Sequence, residues 1–128
     1  MVLGDFIGIP YVDKGCSMVG ADCYGLARMI TSKIYNKKMP PLNHDYESAF
    51  DFDEMAQAVT RTKQEYFKLD TAEEGCIVLL KVKGIECHIG TVISGNSFIH
   101  TLGGHDSCLE RLDSAMWVKR IEGFYAWH

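Results

Sequence analysis

The sequence predicts an α+β fold, with N-terminal helices packed on a C-terminal antiparallel β-sheet meander. Three observations carry the prediction. Apolar residues recur at helical spacing across residues 22–36 and again around residues 52–59. Beyond residue 66 the runs become rich in β-branched residues and are separated by glycine-bearing turns. Helices therefore precede strands and do not alternate with them, the order of an α+β domain. The chain has 128 residues, 47% of them hydrophobic and 23% charged. That suits one soluble domain, residues 1–128, able to build a real core without disulfide staples.

Taken in order, residues 1–21 are rich in glycine and turn residues and read as a loop-like lead-in. Residues 22–36 follow as a helix, with Cys23, Leu26, Ala27, Ile30 and Ile34 on one apolar stripe. Asp22 suits the N-cap, because its carboxylate can accept from an orphan N–H of the first turn. Lys37 and Lys38 favour the C-terminal dipole, and "MPPL" stops the helix. A second helical segment is expected within residues 43–66. There "DFDEMAQAV" offers Asp51 or Asp53 as cap and Phe52, Met55, Ala56 and Val59 as one face. "CIVLLKV" (76–82) and "CHIGTVI" (87–93) read as strands joined by a turn at Lys83–Gly84. "SGNS" (94–97) is a second turn leading into "FIHTL" (98–102). After "GGHDS", the segments "CLERL" and "WVKRIEGFYAW" supply one or two more strands.

The formal net charge is −4, which argues against a nucleic-acid binder. Lys33, Lys37 and Lys38, like Lys119 and Arg120, read as solvated edges. No stretch approaches the roughly 18–20 apolar residues of a membrane helix, so no membrane insertion is expected. "MVLGDFIGIPY" has an early Asp5 and no basic leader, and it does not read as a secretory signal. The five cysteines are odd in number and form no C-x-x-C pair. A disulfide framework is not expected, and synthesis in a reducing cytoplasm is. Cys76 and Cys87 fall in apolar runs, where a thiol packs as a small hydrophobe.

Cys23 is different. On the first turn of a helix its sulfur meets outward-pointing N–H groups and a positive dipole, which predicts a thiol pKa below the free value of about 8.5. The same N–H groups can receive an oxyanion. Gly20 and Gly25 leave room for a substrate to approach the backbone. A base is supplied by the strands. If "SGNS" closes a tight hairpin, opposed residues have numbers summing to about 190. His88 and His100 fall just short of that sum, which makes them cross-strand neighbours or near-diagonal. One imidazole can then orient the other, giving nucleophile, base and orienter. The bland alternatives are a core cysteine and two structural histidines. A zinc reading also competes, with His100, His105 and Cys108 beside Cys87–His88. Its spacings match no standard zinc module, and neither metal nor cofactor is expected. His44 and His128 read as solvent-exposed.

Three blocks in order, "GIPYVDKGCSMVGADCYGLARMI", "EEGCIVLL" and "CHIGTVISGNSFIHTL", resemble the NlpC-type cysteine peptidases. These are a papain-like group that cleaves bacterial cell-wall peptides. The resemblance implies Cys23 as nucleophile, His88 as general base and His100 as the group orienting it. It further implies that Tyr11 lines the site and helps hold the oxyanion, and that Asp22 holds the loop and a substrate amine. Two positions depart from the pattern. Gly75–Cys76 stands where Gly-Asp is usual, and Gly15–Cys16 where two glycines are usual. Cys16 near Cys23 suggests an inhibitory disulfide under oxidation. "DCYGLARMI", a helical insertion and "MPPL" look like the single-domain versions carried among phage tail-assembly proteins.

The resemblance thus implies a thiol endopeptidase acting on peptidoglycan stem peptides, at a γ-D-glutamyl–diamino acid bond. It would be made in the host cytoplasm and delivered with the tail to the cell wall, where other tail proteins are its partners. The rivals are a structural tail-tip or tail-assembly component with weak or no hydrolysis, and an acyltransferase or amidase on the same scaffold.

Overall fold

The structure, a computed structural model, describes residues 1–41, 47–48, 52–62, 65–94 and 96–127. His44, His128 and the Asp51 cap expected for the second helix lie outside the described residues.

Helix α1 spans Cys23–Lys33. Its start is local chemistry. Asp22 is extended (φ −94°, ψ −176°) and its Oδ1 accepts from the Gly25 N–H at 2.8 Å. The helix ends earlier than expected. Asn36 adopts a left-handed backbone (φ 57°) and turns the chain toward Met39. Helix α1 is buried on more than the expected stripe. Cys23, Tyr24 and Ala27 face the sheet cluster. Leu26, Met29 and Ile30 pack instead against Phe6, Ile9 and Ala21. The lead-in is therefore a packed layer with structure of its own. It holds a 3-10 turn at Leu3–Phe6 and a small hairpin of β1 (Cys16–Ser17) and β2 (Gly20–Ala21). Helix α2 spans Phe52–Thr62. Met55, Ala58 and Val59 are its buried contribution, and Asp53 lies inside its first turn, not at the cap.

Six antiparallel strands follow: β3 (Tyr66–Leu69), β4 (Ile77–Val82), β5 (Ile85–Val92), β6 (Ser97–His100), β7 (Cys108–Arg111) and β8 (Ile121–Trp127). Strands β4 to β7 run as the expected meander. The sheet order is β3-β8-β4-β5-β6-β7, because β8 returns across the sheet and inserts between β3 and β4. Strand β3 is a short edge that alternation did not announce. The β4–β5 turn places Lys83 (φ 53°) and Gly84 (φ 77°) both in the left-handed region, as a two-residue I′ hairpin requires.

Residue alternation assigns the two faces. Ile77, Leu79, Cys87 and Ile89 point to the helices. Val78, Leu80, Val92 and Phe98 point the other way, where Leu112 and Trp117 cover them in place of a helix. Trp117 is 1% exposed and is the largest side chain closing that face. Both helices pack on one face of β5 and the Trp117 layer covers the other, so alternation along β5 sends side chains toward both layers.

Candidate active site

The cysteine side of the site is built from backbone. Asp22 has no exposed surface. Its Oδ1 accepts from Gly25 N and its Oδ2 from Lys14 N at 3.0 Å, so one carboxylate ties the lead-in loop to the helix start. The expected contact with a substrate amine has no surface to act through. The glycines are also used differently from expectation. A Cβ at Gly25 would lie 1.8 Å from the Gly15 oxygen, and one at Gly20 would lie 2.4 Å from the Val12 side chain. Their missing side chains admit the protein's own loop, which presses on the helix start and fixes where Cys23 sits.

Cys23 is 4% exposed. Burial, then the nearby Asp22 carboxylate, push its thiol well above the ordinary range, and hydrogen bonds from the Ile89 and Tyr24 backbone offset only part of this. The helix terminus was expected to lower this pKa. Desolvation outweighs it, because a thiolate cut off from water loses more than the terminal dipole returns. Burial therefore favours the protonated thiol in the resting site.

The histidine side is built from sheet register. Thr91 pairs with Ile99 and Val92 with Phe98, the expected sum of 190. Gly90 therefore stands opposite His100, and a Cβ there would meet the Phe98 ring at 2.8 Å and the His100 Cβ at 3.2 Å. The glycine makes room for the imidazole. His88 lies two residues further along β5, diagonal to His100, and its Nε2 is 2.7 Å from His100 Nδ1. Both rings are buried, at 2% and 3% exposure. Burial and then His100 hold the His88 pKa well below 6.5. Burial lowers that of His100 against the raising effect of Glu110. Both shifts favour the neutral imidazole at pH 7.

The relay continues through two residues that sequence reasoning passed over. His100 Nε2 bonds Glu110 Oε2, and the same oxygen accepts from Trp117 Nε1 at 2.8 Å. Carboxylate acceptance fixes the hydrogens. His100 donates from Nε2, so its Nδ1 accepts from His88 Nε2–H. The remaining His88 nitrogen, Nδ1, carries the lone pair. The available signal was the "CLERL" strand itself: an acid two residues after Cys108 shares a face with it.

The two sides meet in a narrow cleft lined by Tyr11, Cys23, Cys87, His88, Thr101, Leu102 and Gly103. Its free volume is about 10 Å³, roughly one water. It forms where the β5–β6 ladder stops: pairing covers residues 91–92 and 98–99, and beyond it residues 101–103 diverge from β5. Cys87 and His88 come from opposite faces of β5 and both reach this notch. Tyr11 lines the wall; its hydroxyl donates to Asp13 Oδ1 at 2.8 Å, and burial and that bond push its pKa up. Cys16 opens to a different cleft, of about 680 Å³, beside Arg28, Lys33 and Lys38. That larger cavity holds no histidine. All five cysteines are free, and Cys16 and Cys23 line separate clefts.

Of the residues the sequence singled out, Tyr11, Cys23 and His88 share the cleft, His100 stands behind it and Asp22 braces it from below. The zinc grouping divides: His100, His105 and Cys108 line one cavity, and Cys87 and His88 line the cleft at Cys23. Cys87 turns to the helix face, while His100 and Cys108 come together with Glu110. No helix among the described residues is long and apolar enough to cross a membrane.

Two helices on a six-stranded antiparallel sheet, with the helix-start cysteine and a strand histidine in one cleft, define a papain-like α+β domain. The NlpC/P60 family model matches residues 8–125, and the chain belongs to the NlpC/P60 family. It is 22% identical over 116 residues to Murein DD-endopeptidase MepS/Murein LD-carboxypeptidase of Escherichia coli K12, covering 91% of this chain and 54% of that protein. The chain thus spans about half the length of the curated relatives it matches. Among solved structures, the NlpC/P60 domain of the peptidoglycan hydrolase SagA superposes with a TM-score of 0.61 at 16% identity, covering 98% of this chain and 92% of that one. An NlpC/P60 family protein from Bacillus cereus ATCC 10987 gives 0.68 at 18% identity, covering 95% and 36%. At these identities the structural likeness is one of fold.

Proposed function

We propose that this domain is a cysteine peptidase that hydrolyses an amide bond of peptidoglycan stem peptides. The observation that carries the reading is the shared cleft: the Cys23 thiol and the His88 imidazole line one notch, and His88 is held through its far nitrogen by His100. A neutral thiol beside a neutral imidazole makes His88 a general base that acts during attack. As Sγ approaches the carbonyl carbon, its proton passes to His88 Nδ1. The carbonyl π pair moves onto oxygen, and backbone N–H groups of the first α1 turn receive it. Collapse forms the thioester and expels the amine, which takes the proton from His88. Water, deprotonated by the same nitrogen, then hydrolyses the thioester and restores the thiol.

The substrate class rests on the family and on the printed activities of the murein and peptidoglycan hydrolases to which the chain is similar. The finer reading is cleavage at the γ-D-glutamyl–diamino acid bond, by a domain made in a host cytoplasm and delivered in a phage tail. Its support is the resemblance of the Cys23 block and the five free thiols.

Muropeptide analysis of purified sacculi tests the reading. Wild type should release new peptide ends, and Cys23→Ala and His88→Ala should each lower the rate by about 10³-fold or more. Normal digestion by either variant overturns the peptidase assignment. Peptide mapping of purified virions tests the tail location, and product analysis with added amines separates hydrolysis from acyl transfer.

A further inference from the structure

Behind the histidine pair, on the side away from Cys23, the sheet assembles a second set of donors. In the β6–β7 register His100 pairs directly with Cys108, and Phe98 with Glu110. Directly opposed residues share a face, and so do residues two apart on one strand. His100, Cys108 and Glu110 are therefore held together by the ladder itself. One nitrogen, one sulfur and one oxygen from these side chains lie within 4.8 Å of one another. Unlike the cleft at Cys23, this face is open. A cavity of about 420 Å³ is lined by His100, Cys108, Glu110, His105 and Asp106, among others. Cys108 is half-buried, and the Glu110 side chain is 30% exposed.

We propose that His100, Cys108 and Glu110 form an inhibitory binding site for a zinc-class divalent cation. Nitrogen, thiolate and carboxylate are the donors of a tetrahedral zinc site, and the cavity leaves its fourth position to water. Donors around tetrahedral zinc sit roughly 3.3–3.8 Å apart, so side-chain rotations of about 1 Å close the site on the ion.

The consequence for the relay follows from proton balance. At present His100 Nε2 carries the hydrogen that Glu110 accepts. The ion takes that hydrogen's place on Nε2, so the neutral ring carries its hydrogen on Nδ1. Nδ1–H then donates to His88 Nε2, and the hydrogen of neutral His88 moves to Nδ1, where the Cys23 proton must go. Each imidazole keeps one hydrogen; Cys108 loses its thiol proton, so one proton leaves per ion bound. The base is switched off without the ion touching the cleft. That consequence rests on the peptidase reading above; the binding does not.

Cobalt(II) is the probe, because it reports thiolate ligation by a charge-transfer band whether or not the enzyme turns over. The full chain carrying Cys23→Ala should bind one equivalent with that band, and zinc should displace it. Adding Cys108→Ser should abolish the band, and Glu110→Gln should weaken cobalt binding about tenfold or more. A band that survives Cys108→Ser, or no binding at one equivalent, overturns the site. In the hydrolysis assay, zinc sensitivity is read against each protein's own metal-free rate. Cys108→Ser should raise the half-inhibitory zinc concentration about tenfold or more. Unchanged sensitivity means that zinc acts at Cys23 and His88, and overturns the inhibitory role. A wild-type chain that hydrolyses nothing defeats the peptidase reading alone, since cobalt still reads the site.

Discussion

The two sides of the cleft are held by different forces. The Cys23 side rests on main chain. Asp22 gathers two backbone N–H groups, and Gly15 and Gly25 let the loop and the helix start touch without side chains between them. The His88 side rests on side chains brought together by strand register, in a line from His88 through His100 and Glu110 to Trp117. The first side leaves little room for adjustment, because backbone cannot rotate out of a clash. The second is adjustable, because a hydrogen position along the relay, and not an atom's place, sets what His88 can do. Damage to the cysteine side should therefore appear as lost stability, and damage to the histidine side as lost rate with the fold intact.

The sharpest break of that contrast is Gly25→Ala. Its Cβ would stand 1.8 Å from a backbone oxygen that no rotamer can move. We expect a loss of about 3 kcal/mol or more, read from denaturant unfolding. A normal unfolding midpoint would mean that the loop does not press on the helix. Asp22→Ala comes next. Two backbone N–H groups lose a buried acceptor, which should cost about 2 kcal/mol.

On the histidine side, Glu110→Gln keeps the shape and removes the charge. Glu110 is a positioning residue, acting through His100. The amide can donate to His100 Nε2, which favours the reversed hydrogen order along the relay. We expect kcat to fall about 10–100-fold with KM and the unfolding midpoint nearly unchanged, and Glu110→Asp to recover part of the loss. A loss confined to stability would erase the distinction between the two sides.

The smallest effect concerns the thiol itself. At pH 7, Cys23 should react with iodoacetamide about tenfold more slowly than exposed Cys16, since burial holds it protonated. Its rate should keep rising with pH through 9, because each step adds thiolate. A plateau near neutral pH would show a preformed thiolate and remove the need for a base that acts during attack.

Much of this site was legible in advance. Asp22 as a cap, Cys23 at the helix start and the hairpin register linking His88 to His100 all follow from patterns within about 15 residues of chain, where local geometry dominates. Glu110 was not legible. It meets His100 only through the β6–β7 pairing, across a loop whose length alone fixes no register. The insertion of β8 between β3 and β4 was hidden for the same reason: strand order is a choice among long-range partners. The glycine roles were misread because an absent side chain looks the same whether it admits a substrate or the protein's own backbone.

By itself the sequence determined the two helices, the β4–β7 meander and the candidate nucleophile and base, because capping, periodicity and hairpin turns act between near neighbours. Only the tertiary structure decided the protonation of Cys23 and His88, the Glu110 end of the relay and the cation site beside it. Each of those depends on how much water is excluded and on which distant strands lie side by side, and neither quantity is written in any short run of residues.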